Sequence, residues 1–320
     1  MSIFTYILLH NILPIIFIIS LGFLLGKKFN LDINPLTKLN FYIYVPFFVF
    51  IQIYSTKMPS DVYKILIFAA LLAVLNQFAA STIAKLRGYN KPLKNAFVNS
   101  IMFYNSGNIG IPLITLVFSS FPYLINGKTP YLTIALTTQI IILVVQNIST
   151  NTIGFFNAGK GNMHWLDSVK SILHMPTIYA VPLAFILKLM PYRLEDFPLW
   201  SAFIYLKDGL ISIALITLGV QLSRTKFSFS NKDVYISNFV RLIGGAFFAF
   251  MLIKVLGIRG IPAQALMISS ALPTAVNTAL IAVERNNEPD FACQAVMTAT
   301  IFSSISLVFV IYVARLIFPI

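Results

Sequence analysis

Acidic side chains are scarce in this chain: 320 residues hold ten Asp and Glu against twenty-three Lys and Arg. Charged residues together make up 10%, where a soluble globular chain carries roughly 25%, so a large water-soluble domain is excluded. The single cysteine, Cys293, excludes an internal disulfide and an all-cysteine metal site. His10, His164 and His174 are scattered without ligand spacing, so neither a metal nor any other cofactor is expected. Carboxylates do not occur in pairs within an apolar run, and no Ser and His can be assembled into a nucleophile and its base, which argues against an intramembrane enzyme. Gly127-Lys128-Thr129 has the ending of a phosphate-binding loop, but Pro122 stands where the first Gly belongs.

What is present is apolar. The hydrophobic fraction is 58% and the mean hydropathy +0.84. Apolar runs fall at about 3–26, 35–54, 62–84, 93–120, 130–156, 168–190, 198–222, 233–256, 261–283 and 292–317, each long enough to span a bilayer. No positive charge precedes the first run, so it reads as a retained helix and not a cleaved signal. The fold class expected is therefore an all-α polytopic membrane protein of ten transmembrane helices.

The basic residues are spread singly between the runs, a pattern unlike the clustered patch of a nucleic-acid binder. Thirteen (Lys27, Lys28, Lys38, Lys85, Arg87, Lys91, Lys94, Lys160, Lys170, Arg224, Lys226, Lys232 and Arg285) fall on one side of a ten-crossing chain. Eight (Lys57, Lys64, Lys128, Lys188, Arg193, Lys254, Arg259 and Arg315) fall on the other. The excess marks the first side as cytoplasmic, which predicts a multi-pass protein of the plasma (inner) membrane with both termini outside the cytoplasm. Trp165 and Trp200 are then expected at the interfaces.

The chain resembles itself. Asp61-Val62-Tyr63 opens the third run and Asp233-Val234-Tyr235 the eighth; twenty-six residues after each Asp comes Arg-Gly, as Arg87-Gly88 and Arg259-Gly260. Asn108 and Asn277 follow in the next run of each set. Five runs per set is an odd number, so the second set must cross upside down. The expectation is two inverted five-helix repeats, residues 1–156 and 168–320, joined by a cytoplasmic connection at 157–167; such repeats mark secondary transporters.

The fourth run contains Asn105-Ser106-Gly107-Asn108-Ile109-Gly110-Ile111-Pro112, and the ninth contains Leu272-Pro273-Thr274-Ala275-Val276-Asn277. Gly, Asn and Pro together weaken a helix, and an interruption in lipid is tolerated only inside protein or against a wet cavity. Helices four and nine are thus expected to break, at Pro112 and Pro273, and to cross at the midplane. Half-helix N-termini carry about half a positive charge each, which suits a carboxylate. Asn105, Gly107, Asn108, Gly110, Thr274, Asn277 and Gln139 are the candidate substrate-binding residues; each Asn serves either as a ligand or as a helix cap. Asn76 is expected to hydrogen-bond between helices. Lys207, Asp208 and Arg241 lie roughly 13 to 15 Å deep at 1.5 Å per residue, where ionisable groups are functional candidates. Asp208 is expected to pair with Arg241, with Lys207 facing the anion's path.

The run Asn105 to Leu113 resembles the fourth-helix signature of the auxin efflux carrier family, in its prokaryotic organic-acid permease branch. Leu39-Asn40-Phe41-Tyr42 with Pro46-Phe47-Phe48-Val49-Phe50, Leu218-Gly219-Val220-Gln221-Leu222, Leu272-Pro273-Thr274-Ala275 with Ala282, and the run from Thr298 to Ser304 are similar to it as well. The resemblance implies a scaffold of spans one, two, six and seven, a moving core of the others, and carriage of small organic anions by an elevator-like motion. The plant members' long loop between helices five and six is absent, and span three lacks their acidic and basic pair. The partners expected are a small organic anion, the bilayer and, in a homodimer, a second copy. The coupling ion, H+ or Na+, is left open. A sodium-coupled symporter resembling bile-acid carriers is the nearer alternative, and a channel the more distant one.

Overall fold

The computed structural model describes residues 3–56, 62–158, 173–224 and 231–320. Asp61, His164, Trp165, residues 159–167 of the expected connection, the start of the sixth run, and Lys57, Lys160, Lys170 and Lys226 lie outside the described residues. Twelve α-helices occur among those described. They are α1 (Thr5–Phe29), α2 (Ile33–Ser55), α3 (Val62–Leu86), α4 (Lys91–Met102), α5 (Ser106–Phe118) and α6 (Leu132–Ala158). The second half supplies α7 (Pro176–Lys188), α8 (Trp200–Arg224), α9 (Lys232–Val255), α10 (Gly260–Ser270), α11 (Val276–Glu284) and α12 (Pro289–Ile317).

Seven of these, α1, α2, α3, α6, α8, α9 and α12, are long and apolar enough to cross a membrane. Their outward faces are apolar too: Phe17, Leu24, Val74, Phe78 and Phe247 are all exposed, as expected of helices solvated by lipid. The expected fourth run is divided into α4 and α5, and the ninth into α10 and α11. The sixth is present as the 13-residue α7. Starts are set by local chemistry. Asp32, Asn90 and Asn231 cap α2, α4 and α9 by accepting from the amides of Asn34, Leu93 and Asp233.

Packing sorts the helices into two groups. In one, α1 lies along α8, and α2 packs on α7 and α8. The α1–α8 seam depends on missing side chains: a Cβ on Gly219 would stand 2.0 Å from the Ile19 carbonyl oxygen, and one on Gly22 would stand 2.3 Å from that of Ile216. Small residues let helix backbones approach where lipid gives no hydrophobic drive. In the other group, α3 packs on α4, α6 and α9; α6 on α5 and α10; and α12 on α9, α10 and α11.

Five helices contain a wide turn with one extra residue: Leu8–Ile12, Asn40–Tyr44, Ser106–Gly110, Thr150–Gly154 and Val240–Gly244. Each carries a buried polar residue, namely Asn11, Asn40, Asn108, Thr150 and Arg241. Turns of this kind shift the register of the helix and are frequent at functional sites.

Helix ends are tied to one another. Arg87, at the exit of α3, pairs with Asp233 at the start of α9, 2.9 Å apart, and Tyr89 donates to the same carboxylate at 2.6 Å. Burial, and then that hydrogen bond, push the Tyr89 phenol above its ordinary value. Arg224 donates to the carbonyls of Asn30 and Leu31, and Asn287 to that of Pro92 at 3.2 Å. Elsewhere, Lys188 donates to the Ile53 carbonyl at 3.0 Å, the Leu194 amide to the Tyr54 hydroxyl at 2.9 Å, and Gln264 to the Phe318 carbonyl at 2.6 Å.

Candidate functional site

The two interrupted stretches meet. Phe103 and Tyr104 leave α4 in extended backbone, Pro273 and Thr274 leave α10, and the two strands of backbone pair antiparallel at Tyr104 and Thr274. The Asn105 amide donates to the Pro273 carbonyl at 2.8 Å, and the Ala275 amide to the Phe103 carbonyl at 2.9 Å. Groups freed from helical bonding are thereby satisfied without water.

The first break lies earlier than expected. It falls at Phe103 to Asn105, and Pro112 sits inside α5. The Asn105 side chain accepts from the Asn108 amide at 3.0 Å and so starts a new helix at Ser106. In the wide turn that follows, the Gly110 amide reaches back to the Asn105 carbonyl and that of Ile111 to Gly107. The Ser106 carbonyl is skipped, and Gln139 of α6 supplies its donor at 2.7 Å. Pro273, by contrast, lies between the end of α10 at Ser270 and the start of α11 at Val276.

Both second half-helices, α5 and α11, begin at one cavity. Its wall takes Ser106, Gly107 and Asn108 from the first turn of α5, and Ala275, Val276 and Asn277 from the start of α11. Phe41 and Val45 of α2 and Gln146, Asn147 and Thr150 of α6 close it, with Tyr104 and Asn105 at the break itself. The space is small, about 30 Å³. It adjoins a larger one of about 260 Å³, which shares Phe41, Asn147 and Asn277 and runs on past Phe155 and His174. No Lys, Arg, Asp or Glu lines either space among the described residues.

The charge at this cavity comes from backbone. Each half-helix start leaves unpaired amides and about half a positive charge, and no side chain caps α11. Asn105 is 6% exposed, and its Nδ2 has no hydrogen-bond partner among the described residues. Asn40 donates to Asn108 Oδ1 at 2.9 Å, which leaves the donor end of the Asn108 amide for the cavity. The small space is lined by amides and hydroxyls, among them Asn105, Asn108, Gln146, Asn147 and Asn277 with Ser106 and Thr150.

Of the expected residues, Asn105, Gly107, Asn108 and Asn277 line the cavity. Thr274 is fully buried and turned away, donating to the Ser100 carbonyl at 2.8 Å. Gly110 makes room for Gln139, whose Nε2 would stand 2.3 Å from a Cβ there. Gln139 serves the break and does not reach the cavity. Asn76 is fully buried, and neither end of its amide meets a hydrogen-bonding partner among the described residues, contrary to the expected interhelical bond. The expected pair of Asp208 with Arg241 is not formed. Asp208 is largely exposed and lies 3.3 Å from its neighbour Lys207. Arg241 is fully buried and donates to the carbonyls of Ile101 and Ser270, its guanidinium 4.8 Å from the centre of the Tyr104 ring. The extra residue in the Val240–Gly244 turn aims it between the half-helices. From α6 only Gln139 was anticipated; Gln146, Asn147 and Thr150, which line the cavity, were not, although with Asn151 they form a polar patch in an apolar run at helical spacing.

Residues 162–311 match the family described as membrane transport protein. That match bears out the resemblance to the auxin efflux carriers. An uncharacterized transporter of Methanothermobacter thermautotrophicus is 21% identical over 303 residues, 93% of this chain and 95% of its own. Both likenesses are to transporters, and neither is to an enzyme. The chain is a membrane-embedded, multi-span protein with the features of a membrane transporter.

Proposed function

We propose that this chain is a secondary active transporter of small organic anions, mono- or dicarboxylates. The observation that carries the proposal is the convergence of two half-helix N-termini on one cavity that has donors but no formal charge. A carboxylate held there is neutralised by amides and helix dipoles, which bind firmly yet release without breaking an ion pair. The carboxylate occupies the small space at the break, and the rest of the anion the larger space beside it.

The path through the membrane follows from the same reading. Helices α4 with α5, and α10 with α11, are the fourth and ninth of ten crossings in two inverted halves, 1–156 and 168–320. Helix-end ties support that order, since each joins ends that ten crossings put on one side: Arg87 with Asp233, Arg224 with Asn30, and Asn287 with Pro92 on one, Lys188 with Ile53 and Gln264 with Phe318 on the other. By the excess of Lys and Arg, the first of these faces is cytoplasmic and both termini lie outside the plasma membrane. The α1, α2, α7 and α8 group is the scaffold, through which two copies pair, and the remaining helices carry the site in an elevator-like movement.

Uptake by the purified protein in liposomes tests this reading. A screen of mono- and dicarboxylates under imposed pH and sodium gradients should find saturable uptake with counterflow. Ohmic current instead would make the protein a channel.

A further inference from the structure

Arg241 is a fully buried cation in the middle of α9, and no described carboxylate lies within ion-pair distance of it. An uncompensated charge in such a place is costly unless something else neutralises it. Its Nη1 donates to the Ile101 carbonyl, near the end of α4, and its Nη2 to the Ser270 carbonyl, the last of α10. These are the C-terminal ends of the two first half-helices. Each such end carries about half a negative charge, so two of them balance one guanidinium. The glycine at position 245 leaves the room: a Cβ there would stand 2.1 Å from Arg241 Nη2 and 2.5 Å from the Ser270 oxygen.

In transporters with broken helices, it is carbonyls at half-helix C-termini that coordinate a coupling sodium ion. Here one carbonyl at each of the two ends is already taken by the same side chain. We infer that Arg241 is a resident cation, standing where a coupling sodium ion would bind, so that transport by this chain does not require sodium. A guanidinium keeps its charge throughout the physiological range, so the position does not carry a proton either. The same charge acts on the anion at one remove. It lies against the face of Tyr104, the residue that joins the two breaks and walls the cavity. Arg241 is thus a positioning residue that fixes the two half-helices and adds a permanent positive field behind the site.

The transport half of this inference rests on the proposed function; the ion half does not, and melting of the purified full chain tests it without any substrate. The wild type should melt alike in sodium chloride and choline chloride, because a ligand stabilises only where it finds a site. Arg241→Ala should melt lower and be raised selectively by millimolar guanidinium, which a merely structural side chain would not predict. Arg241→Lys should keep indifference to sodium, and Arg241→Met should acquire a response to it. In liposomes, the ratio of wild-type uptake in sodium to that in choline should be near one. A wild-type melting point raised by sodium over choline, or an Arg241→Ala protein indifferent to guanidinium, would overturn the inference. So would organic-anion uptake that stops when sodium is removed. Where Arg241→Ala does not accumulate, Arg241→Met decides: no response to sodium counts against the resident cation. A wild type that carries no organic anion in any gradient defeats the functional reading alone, and the melting experiments still judge Arg241.

Discussion

The amide of Asn105 donates to the carbonyl of Pro273 at 2.8 Å, and so ties the interruption in one half of the chain to the interruption in the other. With the reciprocal bond from Ala275 to Phe103, it holds α5 and α11 at one cavity. The breaks are therefore a joint, and the side chains around them satisfy backbone groups or face the cavity.

Gln139 belongs to the first kind. Gln139→Leu leaves the skipped Ser106 carbonyl buried without a donor, a loss of about 1–3 kcal/mol. The melting temperature of the purified protein should fall accordingly, since Gln139 Nε2 is the donor at 2.7 Å. A variant that melts like the wild type would mean that the carbonyl finds another partner.

Gly245 is permitted no side chain. Gly245→Ala should destabilise by about 1–3 kcal/mol, the usual cost of overpacking, because its methyl would meet Arg241 and Ser270. Gly244→Ala is the control one residue away. There the new Cβ would lie 3.6 Å from Val240, an ordinary contact, and a helical Ala gains roughly 0.5–1 kcal/mol over Gly. Equal melting of the two variants would contradict the placement of Arg241.

The long helices and the two interruptions were legible because composition carries them: apolar runs ended by charge, then Gly, Asn and Pro where no helix former stands. The wide turns were not legible. Val240-Arg241-Leu242-Ile243-Gly244 reads as ordinary helix, yet one extra residue in that turn takes Arg241 to the ends of α4 and α10 and away from Asp208. Register within a helix sets which way a side chain points, and periodicity alone does not report a single inserted residue. The same effect hid Asn40 as the partner of Asn108, and the first break falls at Phe103 because the Asn105 side chain starts the second half-helix at Ser106, well before Pro112.

At the helix ends, Tyr89 gives a pH dependence with a definite sign. Its pKa is raised on folding from an ordinary value of 10.0. Folding therefore favours the neutral phenol; this contribution is present below that ordinary value and is lost as the pH rises through the higher folded one. Melting followed across the alkaline range should show less of a fall for Tyr89→Phe than for the wild type. A steeper fall in the variant would reverse the assignment.

The most direct measurement is counterflow of a transported carboxylate in liposomes by the wild type, Asn108→Leu and Asn277→Leu, each first shown to insert and to run as a single species. Both residues line the cavity at the starts of α5 and α11. Hydrogen bonds to a charged group contribute about 1.5–3 kcal/mol, so each variant should lose roughly tenfold or more in kcat/KM. Wild-type kcat/KM in both would contradict an anion site at the joined breaks.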